Sequence, residues 1–274
     1  MSMPKFFQFP GLPSPVMRLG LATRGNTHLK PDDVLLALEH GINYWNWCGH
    51  NDGMAAAVRT LGPRRRRVVV ATQLEARNAD GIRRELDEAL RTLHSDYLDV
   101  ATFYYVESQQ EWSQITGPRG AWEGLRRARE EGLVRQLGLT SHQRPLLIEI
   151  LESGLLDLLM VRYNAAHRGA EERLFELALR LQFPLVTFTA LRWKALLKAT
   201  SEDPSGFSPP SAREWYRWVL AHPAASVVLA APNTRTELQE NLELIGDWRP
   251  PDPGQYEAMG LHGDRVRRLA GRFP

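Results

Sequence analysis

Cys48, His50 and Asp52 lie within five residues of one another, and Tyr104 closes an apolar run; these side chains could move a proton or form a bond. Histidine ordinarily titrates near neutral pH, which suits His50 to general acid or base work. Tyr104 carries a phenol that could donate a proton. Cys48 would need an activating base to serve as a nucleophile, and it reads better as a small buried hydrophobe. Asn46, Asn51 and Gln73 are amides or lie among them in type: they donate and accept hydrogen bonds but cannot release a proton near neutral pH. His50, Asp52, Glu75, Glu107 and His142 are conceivable metal ligands, yet their spacing matches no ligand motif. No metal is expected.

Each of these groups follows a short apolar run, and the runs alternate with helical patterns without a break. Strands are expected at 18–22, 42–46, 68–72, 98–104, 135–140, 158–163, 185–189 and 226–231. Several are apolar throughout, such as VVVAT and SVVLAA, which suits parallel strands covered by helices. Helices are expected at 32–40, 55–61, 81–93, 121–131, 145–152, 170–181, 212–220 and 235–244. Gly41, Gly62 with Pro63, and Gly132 are stop signals, and Thr234 with Glu237 matches a capping box. Eight such units predict a single-domain α/β (β/α)8 TIM barrel, with its core at about 18–245 and a C-terminal tail at 246–274. A doubly wound sheet would show a glycine-rich phosphate turn, and GLATRGN does not match G-x-G-x-x-G. The stretch 204–210 and the tail from Pro250 read as loops outside the barrel. In such barrels the chemistry lies at the C-terminal strand ends, where the residues named above fall.

Composition narrows the function classes. At 274 residues the chain can bury a large core without a disulfide or metal staple. Its single cysteine excludes Cys-rich metal sites and fits a reducing, cytoplasmic setting. The 34 basic and 32 acidic groups give a net charge of +2, so no nucleic-acid partner is expected. The one dense basic run, 64–67, reads as the solvated entry to a strand. No apolar run approaches the roughly 20 residues of a membrane span, and no membrane partner is expected.

The segments GINYWNWCGHNDG (41–53), AWEGLRRAREEGLVRQLGLTS (121–141), VRYNAAHR (161–168) and SVVLAAPNTRTELQENLELI (226–245) resemble, in order, characteristic segments of the aldo-keto reductases. The resemblance runs from about Arg18 to Ile245. It implies a nicotinamide-dependent carbonyl reduction in which a tyrosine donates the proton, a lysine held by an aspartate tunes it, and a histidine orients the substrate. In this sequence the aspartate position is Asn46 and the tyrosine position is Asn51. The lysine position is Gln73, in VVVATQ, and the histidine position is Tyr104, in DYLDVATFY. All four differ. Losing both charges of the pair together leaves neither buried and uncompensated. Either His50 or Tyr104 stands in as the acid, or His50 is a solvated loop residue and Tyr104 fills space.

The cofactor positions that the resemblance implies are mixed. Ser141 matches the serine at the nicotinamide carboxamide, but its amide neighbour is His142, and the glutamine of the sixth strand is Met160. Phe188 matches the ring-stacking aromatic, or is a core aromatic at a strand end. Thr189 and Leu191 resemble the pyrophosphate loop, in which Arg192 and Trp193 either clamp a phosphate or block the groove. Glu240 and Asn241 match the adenine end, and Arg235 could meet a 2′-phosphate that Glu237 would oppose. NADPH or NADH binding is therefore expected to be weak. The expected function is binding, or non-redox chemistry, of a small polar organic ligand in a pocket at the barrel mouth. Tyr44, Asn46, Trp47 and His50 would line it with Asn51, Gln73, Tyr104 and Arg162. The alternative is a divergent NAD(P)H-dependent oxidoreductase with Tyr104 or His50 as proton donor.

Overall fold

The computed structural model describes residues 3–24 and 27–269. Gly25 and Asn26 of the first turn, and 270–274 of the tail, lie outside the described residues. Strands β1 (Phe6–Phe7) and β2 (Val16–Met17) form an antiparallel hairpin. The barrel follows as β3 (Leu19–Ala22), α1 (Pro31–Glu39), β4 (Tyr44–Trp47), α2 (Gly53–Thr60), β5 (Val69–Leu74), α3 (Ala79–Leu93) and β6 (Leu98–Phe103). Next come α4 (Gln109–Thr116), α5 (Ala121–Glu130), β7 (Val134–Ser141), α6 (Arg144–Ser153), β8 (Leu158–Arg162), α7 (Glu176–Arg180) and β9 (Leu185–Phe188). The chain ends with α8 (Ala212–Ala221), β10 (Val227–Ala230), α9 (Arg235–Gly246) and α10 (Pro253–Leu269). β3 to β10 pair in parallel and close into one barrel, β10 returning to β3. This is the TIM barrel that the alternation predicts.

Period-two alternation sorts the side chains. Tyr44, Val69, Ala71, Val100, Leu158 and Met160 fill the interior with Phe9, Leu12 and Val16 from the hairpin region. Phe9 stacks on Tyr44 at 5.8 Å between centroids, plugging the N-terminal end. Tyr44 therefore belongs to the plugged interior and not to the mouth. Trp45 and Trp47 face outward into the larger core between strands and helices. The hairpin strands are two residues each, too short to leave a periodic signal.

Two further expectations are corrected. The tail is a helix from Pro253 to Leu269, which buries Met259, His262, Gly263 and Val266. Proline is tolerated in a first helical turn, and packing outweighs the poor propensity of Gly260 and Gly263. At Gly263 a Cβ would lie 2.4 Å from the Ala165 carbonyl, so only glycine admits this contact. The basic run is solvated at Arg64, Arg66 and Arg67, as expected, and only Arg65 departs from that reading. Arg65 and Arg135 lie over the Tyr97 ring at 4.2 and 4.1 Å. Both guanidiniums bond the buried Asp99 carboxylate, at 2.7 and 2.8 Å, because a buried charge requires such partners.

At the α9 start, Thr234 Oγ1 accepts the Glu237 N–H at 3.2 Å. Glu237 reaches past the cap residue to accept the Asn233 N–H at 2.8 Å, so the expected reciprocal box is shifted by one residue.

Candidate functional site

A cavity of about 580 Å³ opens at the C-terminal end of the barrel, within the usual range for small-molecule sites. Its floor is built by inward positions at the strand ends: Asn46, Gln73, Tyr104, Thr140 and Met160. Gln73 Nε2 donates to Asn46 Oδ1 at 2.8 Å and also approaches Met160 Sδ at 3.5 Å. The centre of the floor is thus a neutral amide pair. Buried Thr140 Oγ1 has no hydrogen-bond partner among the described residues, and its residue lines the cavity. Cys48 also lines it; burial pushes the thiol up, against a weaker contribution from Thr23, so a reactive thiolate is disfavoured.

Tyr104 is partly buried, and burial followed by the nearby Glu75 charge raises its phenol above the usual value. Its neighbour Tyr105 also lines the cavity, although strand alternation alone would send the two apart. A left-handed backbone at Tyr105 (φ 39°) brings both rings to the same side, 4.3 Å apart. Tyr105 lies nearly flat on His142, at 4.7 Å and 22°, and Phe188 meets both rings edge-on. Burial, then Tyr104 and Glu107, pushes the Tyr105 phenol up to about 12. Burial and Arg162 hold His142 below its ordinary value, against Glu107. The His142 backbone N–H donates to Glu107 Oε1 at 2.8 Å. Ser141 Oγ accepts the Gln143 N–H at 2.9 Å. Neither Ser141 nor His142 forms part of the cavity wall.

The loop after β9 turns sharply. Thr189 has φ 57°, and Arg192, Trp193 and Lys194 are consecutive left-handed residues at φ 44°, 54° and 67°. This turn sets Leu191, Trp193 and Lys194 in the cavity wall. Arg192 points elsewhere and is buried, with its Nε 3.3 Å from His167 Nε2. Lys194 Nζ pairs with Glu237 Oε1 at 2.5 Å. Against the cost of burial, the Asn233 N–H and Lys194 hold the Glu237 carboxyl below its usual value. Glu240 and Asn241 line the far wall. Asn241 Oδ1 has no hydrogen-bond partner among the described residues. Arg235 pairs instead with Asp33 at 2.7 Å, outside the cavity wall.

Arg24 was not legible as a site residue, yet it lines the cavity and donates to Asn233 Oδ1 at 3.2 Å. The proline-rich stretch also contributes, through Pro209 and Pro210. Asp203 ties that stretch to α10: it accepts from Thr200, faces His262 Nδ1 at 2.9 Å and pairs with Arg265 at 3.0 Å.

Several expected lining residues lie elsewhere. His50 is exposed, and its backbone carbonyl accepts from Trp47 Nε1 at 2.7 Å. Asn51 is exposed, and its Oδ1 accepts from Arg59 at 2.9 Å. Asp52 caps α2 by accepting the Ala55 N–H. Tyr44, Trp47 and Arg162 are likewise absent from the cavity wall. Among the described residues no group of three or more His, Cys, Asp or Glu side chains could hold a metal ion, and no helix is long and apolar enough to cross a membrane.

The cavity lies at the C-terminal end of a closed parallel barrel, where TIM barrels carry their functional sites. The chain belongs to the aldo/keto reductase family, whose sequence profile matches residues 17–216. Among solved structures it is similar to an aldo-keto reductase from Klebsiella pneumoniae in complex with NADPH, with a TM-score of 0.75 and 17% identity over 98% of this chain and 99% of that one. It is also similar to the holo form of aldo-keto reductase AKR11C1 from Bacillus halodurans, at 0.74 and 17% over 93% and 95%. The glycerol dehydrogenase AKR11B4 from Gluconobacter oxydans gives 0.72 and 16% over 98% of each chain. Identity this low carries the fold alone. No curated protein matches the sequence.

Proposed function

We propose that the mouth cavity binds a small polar organic ligand, without the proton-relay carbonyl reduction typical of the family. The observation that carries this is the Gln73–Asn46 hydrogen bond. At the positions where the resemblance implies a lysine and an aspartate, two neutral amides satisfy each other. A neutral amide supplies no field to lower a phenol's pKa, and Asn51, at the proton-donor position, is turned to Arg59 outside. Aromatic walls with spaced hydrogen-bonding groups suit a polar organic molecule. Thr140 and Asn241, each with a buried side-chain oxygen lacking a hydrogen-bond partner among the described residues, are among the residues that line the cavity. A cytoplasmic setting, read from the single Cys48, belongs to the same proposal.

The residues present do not fit the nicotinamide end of the cofactor. Tyr105 covers His142, and Met160 cannot make amide hydrogen bonds, which leaves Ser141 as the one matching group there. At the other end, Arg235 is committed to Asp33 and Glu237 adds negative charge. Each lost hydrogen bond to a buried polar group costs about 1–3 kcal/mol, so weak binding without preference for a 2′-phosphate follows. A second reading, a divergent NAD(P)H-dependent oxidoreductase, is favoured by one observation: Tyr104 lines the cavity beside the amide pair. His50, exposed and outside the wall, has no such support. Titrating NADPH and NADH into the purified protein separates the readings. The proposal expects dissociation constants well above the micromolar level that corresponds to roughly −8 kcal/mol. A submicromolar constant would move the assignment to the oxidoreductase.

A further inference from the structure

Asn46 on β4 registers with Ala71 on β5, and Gln73, two residues further along β5, faces the same side. Their two amides therefore meet at the cavity floor. A carboxamide side chain holds one acceptor oxygen and two N–H donors. Gln73 Nε2 directs its protons to Asn46 Oδ1 at 2.8 Å and to Met160 Sδ at 3.5 Å, so both of its donors are engaged. Sulfur is a weak acceptor only, which sets the way the Gln73 amide faces. Gln73 Oε1 and Asn46 Nδ2 have no hydrogen-bond partner among the described residues, and neither atom is fully sealed from solvent.

Thr140 on β7 registers with Met160 on β8, and its buried Oγ1 is likewise without a partner among the described residues. Asn46 and Thr140 are 5% and 3% exposed, and both line the cavity with Gln73. Polar groups so deeply placed are ordinarily paired. The floor is also uncharged: burial raises the Tyr104 phenol, which stays protonated at neutral pH. The charged residues of the wall, Arg24, Lys194, Glu237 and Glu240, stand in the loops after β3 and β9 and on α9. An ionised group on this floor would lose its hydration without a counter-charge from the strand ends. Glu75, whose charge already acts on Tyr104, opposes an anion further.

We infer that the floor takes an uncharged carboxamide group of the ligand, whose N–H donates to Gln73 Oε1 and whose carbonyl oxygen accepts from Asn46 Nδ2. The ligand's amide then adds one member to the hydrogen-bonded chain that Asn46 and Gln73 begin. The Thr140 hydroxyl, able to donate or accept, serves the polar atom that remains. Other groups match less well. A carboxylate has no proton for Gln73 Oε1, and an ammonium has no acceptor for Asn46 Nδ2. An alcohol offers one oxygen for both roles, where the carboxamide offers two separate atoms. The inference rests on the proposed reading of the cavity as a ligand site and adds the ligand's chemical class.

The test titrates the intact protein at neutral pH with probes that share one apolar body: cyclohexanecarboxamide, cyclohexanecarboxylate, cyclohexylmethanol and cyclohexylmethylammonium. Binding is followed through the side-chain amide NMR signals of Asn46 and Gln73. The carboxamide should shift both signals saturably and bind about tenfold or more tightly than each other probe, as the loss of one hydrogen bond to a buried group implies. Gln73→Met keeps the length of the side chain and removes Oε1, so the carboxamide should lose about tenfold in affinity and the alcohol less. The probe series in the unaltered protein stands whether or not that variant folds. Equal or tighter binding of the alcohol, carboxylate or ammonium overturns the inference. So does a carboxamide without saturable effect, or a preference that survives Gln73→Met. A charged probe that prevails leaves the cavity a ligand site, whereas carbonyl turnover with NADPH overturns that broader reading itself.

Discussion

Gln73 and Asn46 meet across 2.8 Å at the floor of the barrel mouth, each amide satisfying the other without a charge. Asn46 is 5% exposed, so this bond lies in a poorly solvated setting where an unmatched charge is costly. Asn46→Asp alone should destabilise the protein by on the order of 3 kcal/mol at neutral pH. Adding Gln73→Lys should restore much of the loss. Urea unfolding of both variants reads this directly, and equal stability of the single variant and the parent would show the floor to be better solvated than its burial indicates.

Asp203 fixes the loop that supplies Pro209 and Pro210 to the cavity wall. Burial raises its carboxyl, but His262 and Thr200 together outweigh that and leave it below the usual value. A depressed folded-state pKa means that the contribution to stability is present above the unfolded carboxylate value and is lost as pH falls through the folded one. The melting-temperature gap between the parent and Asp203→Asn should therefore be full at neutral pH and close in acid, below roughly pH 4. A gap independent of pH from 7 to about 3 would contradict this.

Gly263 lets α10 lie against the loop after β8. Gly263→Ala should cost about 1–3 kcal/mol, the range for overpacking a close contact, although alanine favours a helix elsewhere. Thermal unfolding checks the sign: stabilisation would mean that α10 packs less tightly than the 2.4 Å clearance requires.

The barrel strands were legible because continuous apolar runs of four to eight residues between helical patterns have few other uses in a chain of this length. Boundaries shifted little; the strand expected at 226–231 is Val227–Ala230. The hairpin before β3 was hidden by its brevity, and α10 by its proline-rich entry and internal glycines. Within the site, Asn46, Gln73 and Tyr104 follow from strand ends and inward alternation. Tyr44 shares that alternation but sits one layer deeper, and Trp47 faces the opposite side. Tyr105 and Arg192 depend on left-handed backbone at non-glycine residues, which no local pattern announces. Arg24 reaches the cavity from the turn after β3, where nothing in the sequence pattern marks it.

Steady-state turnover with NADPH and a panel of simple aldehydes and ketones tests the central claim most directly. On the proposed assignment of Asn46, Gln73 and Asn51 to the family's aspartate, lysine and tyrosine positions, the general acid and its tuning pair would both be missing. Loss of a general acid alone costs a factor of about 10² to 10⁴, so cofactor oxidation should be undetectable or very slow. Turnover near an ordinary enzymatic ~10 s⁻¹ on any of these carbonyl compounds would contradict the account.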